Sequence, residues 1–187
     1  MLLPKTLSRF LSILCLSAGA LFCSPHANAQ RLALKTNALD YAILTPNLTF
    51  EAQLNPKFSL QVGIAGTPTN KLISGVKLTN FRIEPELRYW FNRPMAKHFI
   101  ALSTSAVAYS LRHNDHIFNG DAIAAGFSYG YALVLGKHWN MEAEIGLGVA
   151  TFKGYNYTGE ENKPAQKNFE KFLPVPMRFA LSFGYVF

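Results

Sequence analysis

From Arg178 to the last residue the chain reads RFALSFGYVF, where Phe179, Leu181, Phe183, Tyr185 and Phe187 alternate with Arg178, Ala180, Ser182, Gly184 and Val186. A period of two marks a β-strand with unlike faces. The alternation recurs upstream. Residues 47–54 set Leu48, Phe50, Ala52 and Leu54 against Thr49, Glu51 and Gln53, and residues 58–64 set Phe58, Leu60, Val62 and Ile64 against Ser59, Gln61 and Gly63. Residues 81–91 set Phe81, Ile83, Pro85, Leu87, Tyr89 and Phe91 against Arg82, Glu84, Glu86, Arg88 and Trp90. Further strands are predicted at 98–111, 121–135 and 140–153, and a less regular first strand at 32–41 loses its alternation at Leu39. Pro85 has no N–H to give a sheet ladder, so a bulge or a missing bond is expected there.

These strands number eight. Short connections at 55–57, 92–97 and 136–139 alternate with longer polar ones at 67–79, 112–120 and 154–171. An even strand count with alternating turn lengths is the pattern of an outer-membrane barrel. The expected fold is therefore all-β: an eight-stranded antiparallel up-and-down transmembrane β-barrel with a filled polar lumen. An eight-stranded barrel is too narrow to hold eight rows of large apolar side chains. Those rows, including Phe179, Phe183, Tyr185 and Phe187 of the barrel-closing strand, are expected to face lipid; a soluble lipocalin-like barrel would reverse the faces. The opposite rows then bring Lys35, Arg82, Arg88 and Arg178 into the lumen with Glu51, Glu84, Glu86, Glu142 and Glu144. Buried charges persist when paired, so an ion-pair network plugging the barrel is expected. Trp90 and Trp139 fall at the short-turn end, where an interfacial aromatic girdle is expected.

The N-terminus changes the domain picture. Lys5 and Arg9 precede an apolar run over 10–22, and Ala27-Asn28-Ala29 is an A-x-A cleavage site. This predicts an export signal over 1–29 and a barrel domain over 30–187. A lipoprotein signal using Cys23 is the rival reading, but Phe22 stands where a small residue is needed. Both cysteines, Cys15 and Cys23, lie in the signal, which excludes a disulfide, a thiolate metal site and a cysteine nucleophile from the remainder. Loss of Lys5 and Arg9 lowers the formal charge from +7 to +5. The charge is scattered among turns, which argues against nucleic acid and suits anionic lipid headgroups, including lipopolysaccharide.

Two segments carry a resemblance. Lys35-Thr36-Asn37-Ala38-Leu39 with Thr45-Pro46-Asn47-Leu48, and the strand Arg82 to Trp90, resemble motifs of a family of small outer-membrane barrels of unknown function. That family occurs in Bacteroidota-type bacteria, often near genes for fimbria-like surface structures. In architecture the chain is similar to the OmpA transmembrane domain and OmpX. The resemblance implies an outer-membrane barrel and supplies no activity, cofactor or catalytic residue.

Candidate chemistry is sparse. Gly126 to Gly130 matches G-x-S-x-G, but a nucleophile elbow needs a strand-to-helix turn and this match lies mid-strand. His113, Asp115 and His116, with Ser110 and Asp121 nearby, are weak candidates for acid–base chemistry on lipid or for loose metal binding. The pairs Glu84-Glu86 and Glu142-Glu144 follow from strand alternation and read as structural. Tyr155, Tyr157, Lys163, Lys167 and Lys171 mix aromatic and basic groups suited to a partner protein, a glycan or lipopolysaccharide phosphates. The expected role is that of a monomeric, non-enzymatic outer-membrane protein, without cofactor or metal, that anchors or interacts through its outer loops with surface or periplasmic partners. The alternatives are a lipid-modifying barrel enzyme and a narrow pore.

Overall fold

A computed structural model describes residues 31–73, 76–113, 115–159 and 164–187. The expected signal over 1–29, with both cysteines, and Lys163 lie outside the described residues.

Eight strands form among the described residues: β1 (Leu32–Asn37), β2 (Asn47–Gln53), β3 (Phe58–Ile73), β4 (Val76–Trp90), β5 (Lys97–His113), β6 (His116–Val134), β7 (Trp139–Thr158) and β8 (Phe169–Val186). Each pairs antiparallel with its neighbour in sequence, and β8 returns to β1, closing the ring. Closure leaves no free edge to be satisfied by another chain. The aromatic and aliphatic rows point outward, with Phe127 74%, Leu147 70% and Phe179 72% exposed. The charged and small rows point inward, as the alternation predicts.

The aromatic residues at the short-turn end meet edge to face. Phe58 and Tyr89 lie 5.2 Å apart, Tyr89 and Phe91 5.6 Å, Trp139 and Tyr185 5.1 Å, and Tyr185 and Phe187 5.0 Å. Trp139 belongs to this outer belt; Trp90 does not. Trp90 shares the inward parity of Arg82, Glu84, Glu86 and Arg88, so its indole is fully buried inside the ring. There its Nε1 donates to Ser59 Oγ at 2.7 Å and its ring lies 4.6 Å from Phe99.

Three further differences have simple causes. The first strand stops at Asn37 and a short helix α1 (Ala38–Ala42) follows, because Asn37 caps it by accepting from the Leu39 N–H at 3.1 Å. The loops expected at 67–79 and 112–120 are largely strand, whereas that expected at 154–171 is strand only at its ends, 154–158 and 169–171; β5 and β6 meet in a tight hairpin that sets His113 opposite His116. Polar residues satisfy a ladder as well as apolar ones, so the sheet continues where the hydrophobic alternation fades. At Pro85 the ladder keeps its register but has no β5 pair for Glu84 or Pro85, so the missing bond is realised and the bulge is not. A register shift occurs elsewhere, where Gly146 faces Arg178 and Leu147 faces Pro176. The extra residue, Met177, turns inward beside Arg178.

Candidate functional site: the lumen

The nine charged residues assigned to the lumen do come together. Arg88 is the hub. Its Nε donates to Glu86 Oε1 at 2.5 Å, its Nη1 to Glu142 Oε2 at 2.8 Å and to Glu51 Oε2 at 3.3 Å, and its Nη2 to Glu144 Oε2 at 2.7 Å. A planar guanidinium with five donors suits such a cluster, whereas an ammonium has only three. Lys35, also buried, pairs with both Glu51 and Glu142. Arg178 links the hub to the far end, opposite the short turns, through Glu144 at 3.4 Å and Glu84 at 2.9 Å. Arg82 pairs with Glu84 at 3.2 Å and with Asp40 at 2.5 Å.

Asp40 is the member that the strand pattern alone misses. It sits in the first turn of α1, held by the residues of the two motifs around it. Asn47 donates its Nδ2 to Asn37 O at 2.9 Å and accepts from the Asn37 N–H at 2.7 Å. Asn37 Oδ1 also accepts from the Leu181 N–H of β8 at 3.1 Å. Thr45 and Thr67 hydroxyls lie 2.6 Å apart, and Asn80 Nδ2 donates to Thr67 Oγ1 at 3.1 Å. The Lys35–Leu39 and Thr45–Leu48 segments thus clamp α1 against the ring and set Asp40 before Arg82. An asparagine followed three residues later by an acid is a helix-start signal, and Asn37 with Asp40 fits it.

Below the hub the lumen is sealed by Trp90, Phe99, Ala101 and Ala132, all buried and in mutual contact. Arg88 Cζ stands 4.3 Å from the Phe99 ring centre. Gly130 makes room for that ring, since a Cβ there would lie 2.6 Å from Phe99 Cε1. Above the network the filling stops. A chamber of about 600 Å³ opens between Val107, Tyr109, Ala122, Ala124, Ala150, Phe152 and Met177, with Asp40, Arg82, Glu84 and Arg178 along its floor. The lumen is therefore filled and polar over one half only.

The remaining candidates separate from this site. Ser128 of the G-x-S-x-G match donates to Glu144 Oε1 at 2.6 Å, so its hydroxyl serves the network. His113, Asp115 and His116 are exposed at the β5–β6 hairpin, where His116 Nδ1 lies 3.0 Å from Thr158 Oγ1. Asp121 takes Lys167 at 2.7 Å, both about half exposed. Among the described residues no three His, Cys, Asp or Glu side chains gather as a metal site. Tyr155 and Tyr157 belong to β7 and Lys171 to β8, rather than to one loop, and Lys171 Nζ sits 5.5 Å from the Phe169 ring.

A family model described as "Protein of unknown function (DUF3575)" matches residues 12–187, and the chain belongs to that family. Comparison with curated proteins gives no match.

Proposed function

We propose that this chain is an outer-membrane β-barrel without enzymatic activity, acting as a structural, anchoring or surface-interaction protein through the far end of its ring. The observation that carries this reading is the pairing of a closed ring with an all-round apolar outer face and an ion-paired lumen. Exposed apolar surface on soluble monomers is confined to small patches. Here Leu34, Phe50, Ile64, Phe81, Leu102, Ile123, Phe127, Ile145 and Phe179 carry it around the ring. Strand length agrees: at about 3.3 Å per residue and a tilt near 40°, the nineteen residues of β6 rise well beyond an apolar band of roughly 25 Å. The strand ends that project carry Tyr155, Tyr157 and Lys171, a surface suited to a partner protein, a glycan or lipopolysaccharide. On this reading the chain belongs among the small barrels found near fimbria-like surface structures in Bacteroidota-type bacteria.

A heat-modifiability gel on fractionated cells tests it. The expected result is a band in the outer membrane that migrates faster unboiled than boiled. A soluble periplasmic protein without that shift would overturn the membrane assignment. His113→Ala with His116→Ala is expected to leave both the gel shift and the lipid A profile unchanged.

A further inference from the structure

Strand pairing completes the ring in one half only. β1 meets β8 over residues 33–37 and 182–186, and β2 meets β3 over 47–53 and 59–65. Toward the far end, among the described residues, β8 over 169–181 and β3 over 67–73 have no ladder on the sides that face one another. The segment 38–46, with α1, stands at the base of this gap. There Pro46 O takes the Gly66 N–H at 3.1 Å and Asn37 Oδ1 takes the Leu181 N–H at 3.1 Å. Proline marks the β8 rim as a strand edge. Val186 N–H bonds to His138 O and Phe187 N–H to Leu32 O, so even-numbered positions of β8 donate toward β7 and odd ones toward β1. The extra residue Met177 reverses that order. Pro174 and Pro176 therefore fall where an N–H would face the gap, and they have none to offer. Such an edge does not recruit another strand.

The chamber reaches this gap. β4, β5, β6 and β7 line it with inward residues alone, but β8 lines it with the unbroken run 175–179, which includes outward-facing Phe179. A cavity that touches both faces of one strand passes around the edge of that strand. Its volume of about 600 Å³ lies within the range of roughly 300–1,000 Å³ that small-molecule sites occupy. Its inner wall departs from the polar lumen usual in such barrels. Leu78, Val107, Leu111, Ala124, Ala150 and Phe152 face inward and are apolar. Ala124 and Ala150 lie opposite one another, beside Ile123 and Val149 of the outer apolar face, so the chamber shares the depth of that face. The floor selects no charged head, because Arg82 and Arg178 are matched by Asp40 and Glu84. What the walls reward is an apolar body leaving water.

We propose that the chamber takes one hydrocarbon chain of an outer-leaflet lipid, which enters between β8 and β3 while its headgroup stays outside the ring. The inference rests on the membrane assignment above and adds to it a lipid site inside the ring.

Photo-crosslinking of the full chain in phosphatidylcholine nanodiscs tests it. The probe is phosphatidylcholine with a diazirine at the end of one acyl chain, and adducts are located by peptide mass spectrometry. They are expected on inward-facing Val107, Tyr109 and Phe152 as well as on outward-facing Leu102, Phe127 and Leu147. Ala124→Phe and Ala150→Phe fill the chamber from β6 and β7. Each is expected to lower the inward adducts about fivefold or more and to leave the outward ones unchanged. A variant is used only if its band remains heat-modifiable, and the wild-type adducts decide the question without it. A second arm supplies the same diazirine chain as a free fatty acid. Outward adducts without inward ones, inward adducts from the free acid alone, or inward adducts unmoved in the folded variants would each overturn the proposal. Absence of adducts on both faces, or failure to enter nanodiscs, would overturn the membrane assignment and the lipid site with it.

Discussion

Toward the short turns, Trp90, Phe99, Arg88 and Glu142 fill the ring completely; toward the far end, the same strands leave about 600 Å³ between Val107, Ala124, Ala150 and Phe152. Moving along one inward row shows how. On β6 the row runs Ala132, Gly130, Ser128, Gly126, Ala124 and Ala122, small throughout. The difference lies in what faces it. At one end Phe99, Arg88 and Glu144 reach across to the small residues and occupy the space. At the other the opposing side chains stop short, and only Met177, admitted by the register shift in β8, leans over Gly126, where a Cβ would come within 2.7 Å of its sulfur. Small residues can therefore serve either as sockets for a plug or as walls of a void. The facing row decides which.

Substitutions in the two halves should separate accordingly. The largest effect is expected for Arg88→Leu, which leaves Glu51, Glu86, Glu142 and Glu144 without their shared cation. Breaking buried pairs costs about 3–5 kcal/mol, and urea unfolding in lipid vesicles should show at least that loss. Next come Gly130→Ala and Ala132→Leu, which press on the Phe99 ring and the plug; each is expected to cost about 1–3 kcal/mol in the same titration. Ala124→Leu adds as much bulk as Ala132→Leu, but into the chamber, and is expected to change stability by less than about 1 kcal/mol. A cost as large as that of Ala132→Leu would erase the distinction between the halves. Smallest is Lys167→Ala, which breaks a half-exposed pair with Asp121 and is expected to shift stability by less than about 0.5 kcal/mol.

Much of this architecture is legible in the sequence. A period of two assigns every residue of the Arg82–Trp90 strand to a face, and that parity alone places Arg88 and Glu86 in the lumen. The same parity places Trp90 inside, against the expectation drawn from its position near a short turn. Parity is a stronger guide than residue type, because an indole buries as readily as it sits at an interface. Strand ends are less legible. Pro174 and Pro176 interrupt the β8 pattern, and near His113 and Tyr155 polar residues alternate with polar ones, so hydrophobicity carries no signal although the ladder persists. Asp40 was accessible through the Asn37 cap. The chamber was not, because its volume depends on which rows face one another across the ring, and strand periodicity does not encode that distance.

The seam between β1 and β8 has a kinetic consequence. It spans only residues 33–37 on one side and 182–186 on the other, while the hairpins from β3 to β8 each join near neighbours in sequence. Local hairpins form early at little entropic cost, whereas the seam must bring together residues separated by nearly the whole domain. The ring is thus a sheet first and a cylinder last. Its latch is the Asn37 side chain, which accepts from Leu181 across that seam and from Leu39 at the start of α1. One amide oxygen thereby links the final joining event to the placing of Asp40, so the chamber acquires its floor as the cylinder shuts.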